Sequence, residues 1–182
     1  MRKLQWVTVG VAVVALAVAL AASVAVLQTP TEWPPTATFR LLDRPPQVED
    51  LEATKGRRDD VKTDLSRARL LGTDDRGNKY LLAPSADTLC LVVLTSPSSS
   101  GSACDSTANL AKSGLWLEFG DERTSRIAMA VPDEYVDATV STTGRRIAVR
   151  SGNLIVVEAR GPRTDSVTLK SPKYKSLTVG HQ

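Results

Sequence analysis

The pattern of apolar and polar positions divides this chain of 182 residues into two unlike parts. Near its start, Leu4–Leu27 is an almost unbroken apolar run without a charged side chain. From Arg67 onward, short apolar stretches alternate with polar turns. Because about 20 apolar residues let a helix cross a hydrocarbon core about 30 Å thick, the pattern predicts an N-terminal transmembrane α-helix over 4–27, followed by a β domain.

The residues that flank the apolar run give it a direction. Arg2 and Lys3 precede it, and cations beside a membrane span stay on the cytoplasmic side. Trp6 and Trp33 stand near its two ends, where indole rings favour the membrane interface. We therefore expect a cytoplasmic stub over 1–3 and an extracytoplasmic remainder, held by a single pass through the plasma membrane.

A cleaved signal peptide is the alternative interpretation of this run, because Ala-x-Ala patterns such as Ala17–Ala19 occur within it. The apolar core of a signal peptide usually spans about 7–15 residues, which is shorter than this run. The Ala-x-Ala patterns also fall inside the run rather than just after it. We favour an uncleaved anchor, whereas cleavage predicts the loss of about 20–30 residues from the native mass.

Residues 28–66 have the composition of a Pro-rich stalk and charged linker. The prolines between Gln28 and Pro46 favour extended, polyproline-like backbone. The residues after them are rich in charge and poor in large apolar side chains, so we expect Gln47–Asp60 to be mobile rather than a loose helix on the domain. The β domain is then expected over 67–182.

Turn signals spaced by about ten residues and period-two alternation predict the β domain. Asp74–Asn78 is a turn signal between two apolar stretches and indicates a hairpin. Leu89–Leu94 is a continuous apolar run, typical of a central strand buried on both faces. Asp105 or Ser106 could cap one or two helical turns that end near Lys112. The later predicted strands are Leu115–Phe119, Ile127–Val131, Val136–Val140, Arg146–Arg150, Leu154–Val157, Ser166–Lys170 and Leu177–Val179. About eight short strands predict an all-β fold, a small antiparallel sandwich or barrel whose strand order is not readable.

Two cysteines, Cys90 and Cys104, lie on the predicted extracytoplasmic side. An even number of cysteines in an oxidising compartment favours a disulfide. The closed loop of about 15 residues would stabilise the fold by up to ~3 kcal/mol in the chain-entropy model. It would restrain Ser96–Ser102, which we expect to be a flexible loop. The alternative is a pair of separate thiols, with Cys90 buried in a strand.

The charge balance argues against nucleic acid as a partner. The chain has 23 lysine and arginine residues, and removing the two of the stub leaves 21 against 20 acidic residues. Arg145, Arg146 and Arg150 cluster in the sequence, either as ordinary solvated surface or as a patch for an anionic ligand, such as lipid headgroups or acidic wall polymer. A second basic cluster comprises Lys170, Lys173 and Lys175.

Catalytic and metal-binding patterns are not recognisable in the sequence. The one histidine, His181, follows Gly180 near the C-terminus, and such a position is more typical of a frayed end than of a held catalytic base. The cysteine pair leaves no zinc-ligand set, and 74–78 lacks the alternating acids and closing glutamate of a calcium loop. Glycine-rich nucleotide loops are also missing. We therefore expect no metal, cofactor or catalytic residue.

The stretch Val131-Pro132-Asp133-Glu134-Tyr135-Val136, followed by a strand, a glycine turn and a second strand, resembles a pattern in uncharacterised single-pass membrane proteins of actinobacteria. Those proteins also have an N-terminal anchor and a strand similar to Leu89–Val93. The resemblance implies an extracytoplasmic β domain without a known activity.

These observations favour a membrane-anchored binding or structural module of the cell envelope, whose partner is another membrane or envelope protein. The alternative is a carbohydrate-active hydrolase of the cell envelope, because two carboxyl groups about 5–10 Å apart can cleave a glycosidic bond. Glu118 and Asp133 are the acids we select for that role. A third class of function is the binding of an acidic polymer or of headgroups through the arginine cluster.

Overall fold

The computed structural model describes residues 32–56, 63–95, 99–120, 125–141, 143–149, 153–159 and 166–180. The predicted transmembrane helix over 4–27 and Trp6 lie outside these residues, and so does His181. Within the described ranges, each helix is too short or too polar to cross a bilayer.

The described residues form a 3-10 turn at Arg40–Leu42, two α-helices and eleven β-strands. The helices are α1 (Val48–Thr54) and α2 (Thr107–Ser113). The strands are β1 (Arg69–Thr73), β2 (Lys79–Ser85), β3 (Thr88–Thr95), β4 (Ser99–Ser106), β5 (Leu115–Gly120), β6 (Ser125–Ala130), β7 (Asp137–Val140), β8 (Arg146–Ala148), β9 (Leu154–Ala159), β10 (Val167–Lys170) and β11 (Leu177–Val179).

The strands form three antiparallel sheets. The first sheet is the meander β1-β2-β3-β4, the second has the order β5-β6-β9, and the third has the order β11-β10-β7-β8. The hairpin β7–β8 therefore interrupts the second sheet in sequence and belongs to the third. The all-β, antiparallel prediction is confirmed, although the described residues hold eleven strands rather than about eight.

The three sheets stack as layers, with the second sheet in the middle, which gives a sandwich-like fold. Leu91 of β3 and Ala128 of β6 belong to the core between the first and second sheets. The next residue of β6, Met129, points the other way and packs with Leu169 of β10 in the core between the second and third sheets. Because side chains alternate along a strand, both faces of the second sheet are buried.

The outer face of the first sheet is covered as well. Val92 and Leu94 of β3 pack there with Ala53 of α1 and with Leu65 and Ala68. This packing confirms β3 as a central strand buried on both faces.

The strand that the sequence analysis missed is β4, of which residues 99–102 were expected to be part of a flexible loop. It pairs with β3 along its whole length, from Ser106 opposite Thr88 to Ser99 opposite Thr95. Its small residues suit a close approach of the first and second sheets, since a Cβ added at Gly101 would lie 3.1 Å from Cδ2 of Leu117. The serines thus build a narrow edge strand rather than a loop.

The segment before α1 packs on the sheets instead of standing free. The backbone N–H of Ala37 donates to the carbonyl of Thr107 at 3.0 Å, and Phe39, only 6% exposed, joins the core between the first and second sheets. Pro34 is also buried. The expectation of a free Pro-rich spacer is therefore wrong for residues 34–39, while the domain boundary near 66 stays a prediction.

Helix α1 is held by a buried carboxylate. Asp50 is 2% exposed and accepts hydrogen bonds from the Arg44 guanidinium at 2.6 Å and from the backbone N–H groups of Gln47 and Leu70, both at 2.7 Å. Burial alone would raise the pKa of Asp50, but these bonds outweigh it and hold the pKa below its usual value. The expectation of mobility is wrong for 47–54, because these hydrogen bonds and the packing of Ala53 hold the helix on the first sheet.

Candidate functional site

The predicted disulfide joins Cys90 of β3 to Cys104 of β4. The two residues are directly opposed in the strand register, with their Cα atoms 4.1 Å apart and an S–S bond of 2.08 Å. Such a short Cα separation is typical of narrow antiparallel pairs. The disulfide prediction is confirmed, and its alternative of two separate thiols is wrong.

The arginine cluster of the sequence is only partly described. Arg145 and Arg146 are both exposed on the hairpin β7–β8, and Arg150 lies outside the described residues. The Arg146 guanidinium donates to the Asp137 carboxylate at 2.9 Å, so an acid of the neighbouring strand offsets part of its charge. The anionic-ligand patch stays a prediction.

The two acids proposed for glycoside hydrolysis already have structural partners. Asp133, in the turn after β6, accepts hydrogen bonds from the Arg40 backbone N–H at 2.6 Å and from the Asn153 amide at 2.9 Å. Glu118 lies within the second sheet, opposite Ile127, and accepts a hydrogen bond from Ser125. Asp133 thus fastens the N-terminal segment to the domain.

The turn 74–78 is built around the carboxylate of Asp74. This carboxylate accepts bonds from the backbone N–H groups of Arg76 and Asn78, both at 2.9 Å, and from the Tyr80 hydroxyl at 2.7 Å. The described residues contain no group of three or more histidine, cysteine or acidic side chains placed to hold a metal. The bonds of Asp74 explain the turn without a bound cation.

A buried arginine links this turn to the second sheet. Arg126 of β6 is 4% exposed and contacts Asp74 at 2.5 Å and Glu158 at 2.6 Å. Burial would raise the pKa of Asp74, but hydrogen bonds from Tyr80 and Asn78 outweigh it and hold that pKa below its ordinary value. The sequence analysis missed Arg126, because this residue precedes the predicted strand Ile127–Val131 and an arginine at such a position is usually exposed to solvent.

The chain enters the domain beside the turn between β10 and β11. The backbone N–H of Lys175 donates to the carbonyl of Glu32 at 2.8 Å, and Lys175 Nζ lies 5.1 Å from the centroid of the Trp33 ring. Trp33 is partly buried and packs against the core between the second and third sheets. Whether this indole also touches a membrane stays a prediction.

The turn itself is ordered by hydrogen bonds. The backbone N–H groups of Lys173 and Tyr174 donate to the Ser171 hydroxyl at 3.2 and 3.1 Å, and the buried Tyr135 hydroxyl donates to the Lys175 carbonyl at 3.4 Å. Burial and the nearby charge of Glu134 raise the pKa of Tyr135 to about 12, so it stays a neutral donor. The backbone that carries the lysines of this turn is therefore held in place by these hydrogen bonds.

Exposed cations and apolar groups gather at this end of the third sheet. Lys173 Nζ lies 4.9 Å from the centroid of the Tyr174 ring, and the Tyr174 hydroxyl raises the pKa of Lys173. Val136 donates its N–H to the carbonyl of Lys170 at 3.0 Å and is 51% exposed. We call this surface the basic end; it consists of Trp33, Val136, Lys170, Lys173, Tyr174 and Lys175.

Among the described residues, two open clefts lie away from the basic end. The larger, about 580 Å³, lies between the 3-10 turn and the β2–β3 connection, and includes Arg40, Asp43 and Asp87 in its lining. The smaller, about 430 Å³, is bordered by Arg76, Glu118 and other residues at one edge of the first and second sheets. Neither cleft is deep and apolar, as small-molecule sites usually are.

Comparison with known proteins finds no matching family model, no similar curated protein and no similar solved structure.

Proposed function

We propose that this protein is a membrane-anchored, extracytoplasmic β domain that acts as a binding or structural module of the cell envelope. The observation that carries the proposal is the disulfide between Cys90 and Cys104, which follows an apolar run long enough to span a bilayer. Because cytosolic thiols are kept reduced, a structural disulfide favours an oxidising compartment beyond the membrane.

A binding or structural role is supported by how the polar side chains are used. Among the described residues, each buried side-chain nitrogen or oxygen has a hydrogen-bond partner. Asp50, Asp74 and Asp133 all serve to fasten one segment of the chain to another. Active sites, in contrast, tend to keep titratable groups poised in a cleft.

The proposed mechanism is tethering. An anchored domain is confined near the membrane, which raises its effective concentration for a partner held in the same layer. The partner proposed here is another membrane or envelope protein. Exposed apolar side chains on α1, Val48 and Leu51, offer contact positions on the face opposite the third sheet.

The topology is tested with reporters fused after Gln182 of the full-length chain. Alkaline phosphatase is active only outside the cytoplasm. The matched control is a fluorescent protein that folds only in the cytoplasm and therefore reports the opposite location. We expect phosphatase activity and no fluorescence. Fluorescence without phosphatase activity would refute the extracytoplasmic location.

The partner is tested by site-specific photocrosslinking in cells. A photoreactive residue replaces Leu51 on α1, and the matched control places it at the exposed Lys112 on α2. We expect one protein adduct at Leu51 and none at Lys112 after purification from detergent-solubilised membranes. Recovery of uncrosslinked protein from both variants would count against a protein partner on this face and favour the hydrolase or polymer-binding alternatives.

A further inference from the structure

We propose that the basic end of the third sheet docks on the anionic headgroups of the membrane that carries the predicted anchor. The proposal rests on the proposed function, since it needs the apolar run over 4–27 to span that membrane. Its occupant is a lipid surface, because the chain enters the domain beside the basic end.

The entry point limits the distance between the domain and the bilayer. Glu32 is hydrogen-bonded to Lys175, and only residues 28–31 separate it from the end of the apolar run. Five residue steps span at most about 18 Å in the fully extended chain. Headgroups occupy about 5–8 Å on each side of the hydrocarbon core, so the Lys175 backbone lies within about 13 Å of their outer edge. A separate stalk is thus too short to hold this end away.

The charge of the basic end suits an anionic surface. Lys170, Lys173 and Lys175 are all exposed, and the acids nearby are Glu32, Glu134 and Asp137. Asp137 is engaged by Arg146 at 2.9 Å, which offsets its charge. The three lysines therefore outnumber the two remaining acids, and their net positive charge acts over about 8 Å, the screening length at physiological salt.

The uncharged side chains of the same surface suit the membrane interface. Trp33 and Tyr174 each carry a lysine ammonium over the ring, at 5.1 and 4.9 Å from the ring centroids. Such rings, with an apolar body and a polar edge, favour the headgroup level. Val136 adds an exposed apolar side chain next to Lys170.

The test uses the full-length protein reconstituted in vesicles. The only cysteines of the chain form the disulfide, so a single cysteine introduced by Val136→Cys can carry an environment-sensitive fluorophore. The matched control label is placed by Leu51→Cys on α1, the opposite side of the stack. Quenching by spin-labelled headgroups reports contact with vesicles of zwitterionic lipid alone or with one third anionic lipid.

We expect strong quenching at position 136 on anionic vesicles, weaker quenching on zwitterionic vesicles, and little quenching at position 51. Each lysine near an anionic surface contributes roughly a fivefold factor, so Lys→Gln changes at 170, 173 and 175 should lower the docked-to-undocked ratio by roughly 100-fold. The matched triple change at Lys55, Lys79 and Lys112 should leave quenching intact.

The contrary outcomes are distinct. If the protein floats with vesicles, the anchor is supported. The docking proposal would still be overturned by equal quenching at positions 136 and 51. It would also be overturned if quenching at position 136 did not change with lipid charge or with the triple lysine change. Failure of the full-length protein to float with vesicles would refute the anchor itself. If soluble polyphosphate changes the emission at position 136 and anionic lipid does not, the basic end binds a free anionic polymer and the membrane proposal is wrong.

Discussion

Removing the buried arginine should destabilise the protein far more than removing its exposed neighbour. Arg126 and Arg76 both bind Oε1 of Glu158, at 2.6 and 2.7 Å. Their environments differ, because the Arg126 side chain is 4% exposed and that of Arg76 is 48% exposed. The pair of variants Arg126→Met and Arg76→Met therefore compares the same partner in two settings.

The expected magnitudes follow from what each change leaves behind. Arg126→Met removes the cation that lies 2.5 Å from Asp74, and the Asp74 side chain is only 9% exposed, so its charge is left buried and unpaired with a cation. Breaking a buried pair in this way typically costs about 3–5 kcal/mol. Arg76→Met removes a solvent-screened contact, and exposed ion pairs contribute about 0–1 kcal/mol.

The assay is urea unfolding of the full-length protein in non-ionic detergent at pH 7, monitored by tryptophan fluorescence. The free energy of unfolding is extrapolated linearly to zero urea. If Arg126→Met does not fold, adding Asp74→Asn should restore folding in part, because the amide removes the uncompensated charge. Losses below about 1 kcal/mol in both single variants would refute the reasoning, since burial would then make no difference.

Three further results are expected from the same unfolding assay. Replacing Cys90 and Cys104 together by serine should cost about 2–4 kcal/mol through lost loop closure, which reductant added to the native protein should reproduce. Leu91→Ala should cost about 3–5 kcal/mol by leaving a cavity between two sheets, whereas Val48→Ala on the exposed face of α1 should change stability by less than about 0.5 kcal/mol. Because the folded pKa of Asp74 lies below its ordinary 3.8, its contribution should be complete above about pH 5 and be lost as the pH falls through the lowered folded pKa. Unfolding of native protein and of Asp74→Asn between about pH 2 and 6 measures this loss.

The local features of the fold were readable from the sequence because each depends on neighbouring residues. The turn 74–78 joins β1 and β2 through the side chain of Asp74, as turn chemistry predicts. Ser106 caps α2 by accepting a bond from the Asn109 N–H at 3.3 Å. The apolar run in β3 and the cysteine pair were equally visible.

The remaining features depend on residues distant in sequence. Strand β4 consists of small polar residues whose pairing is imposed by β3 and by the nearby second sheet. Phe39 is fixed in a core built by residues far along the chain. Asp50 forms a local capping box with Gln47, but it is also held by the backbone N–H of Leu70, twenty residues away. The basic end brings Trp33 together with a turn more than a hundred residues away. The sequence therefore showed its lysines as a cluster of charge but did not show that Trp33 lies beside them.

The docking of the N-terminal segment has a consequence for the order in which this protein matures. Of the described residues, 32–40 are synthesised first, but their long-range hydrogen-bond partners are Thr107, Asp133, Glu134 and Lys175. Because a domain folds only once its residues have emerged, this segment is fixed after the much later residues that hold it have been made. A chain truncated before Lys175 would lose the hydrogen bond that joins Glu32 to the third sheet.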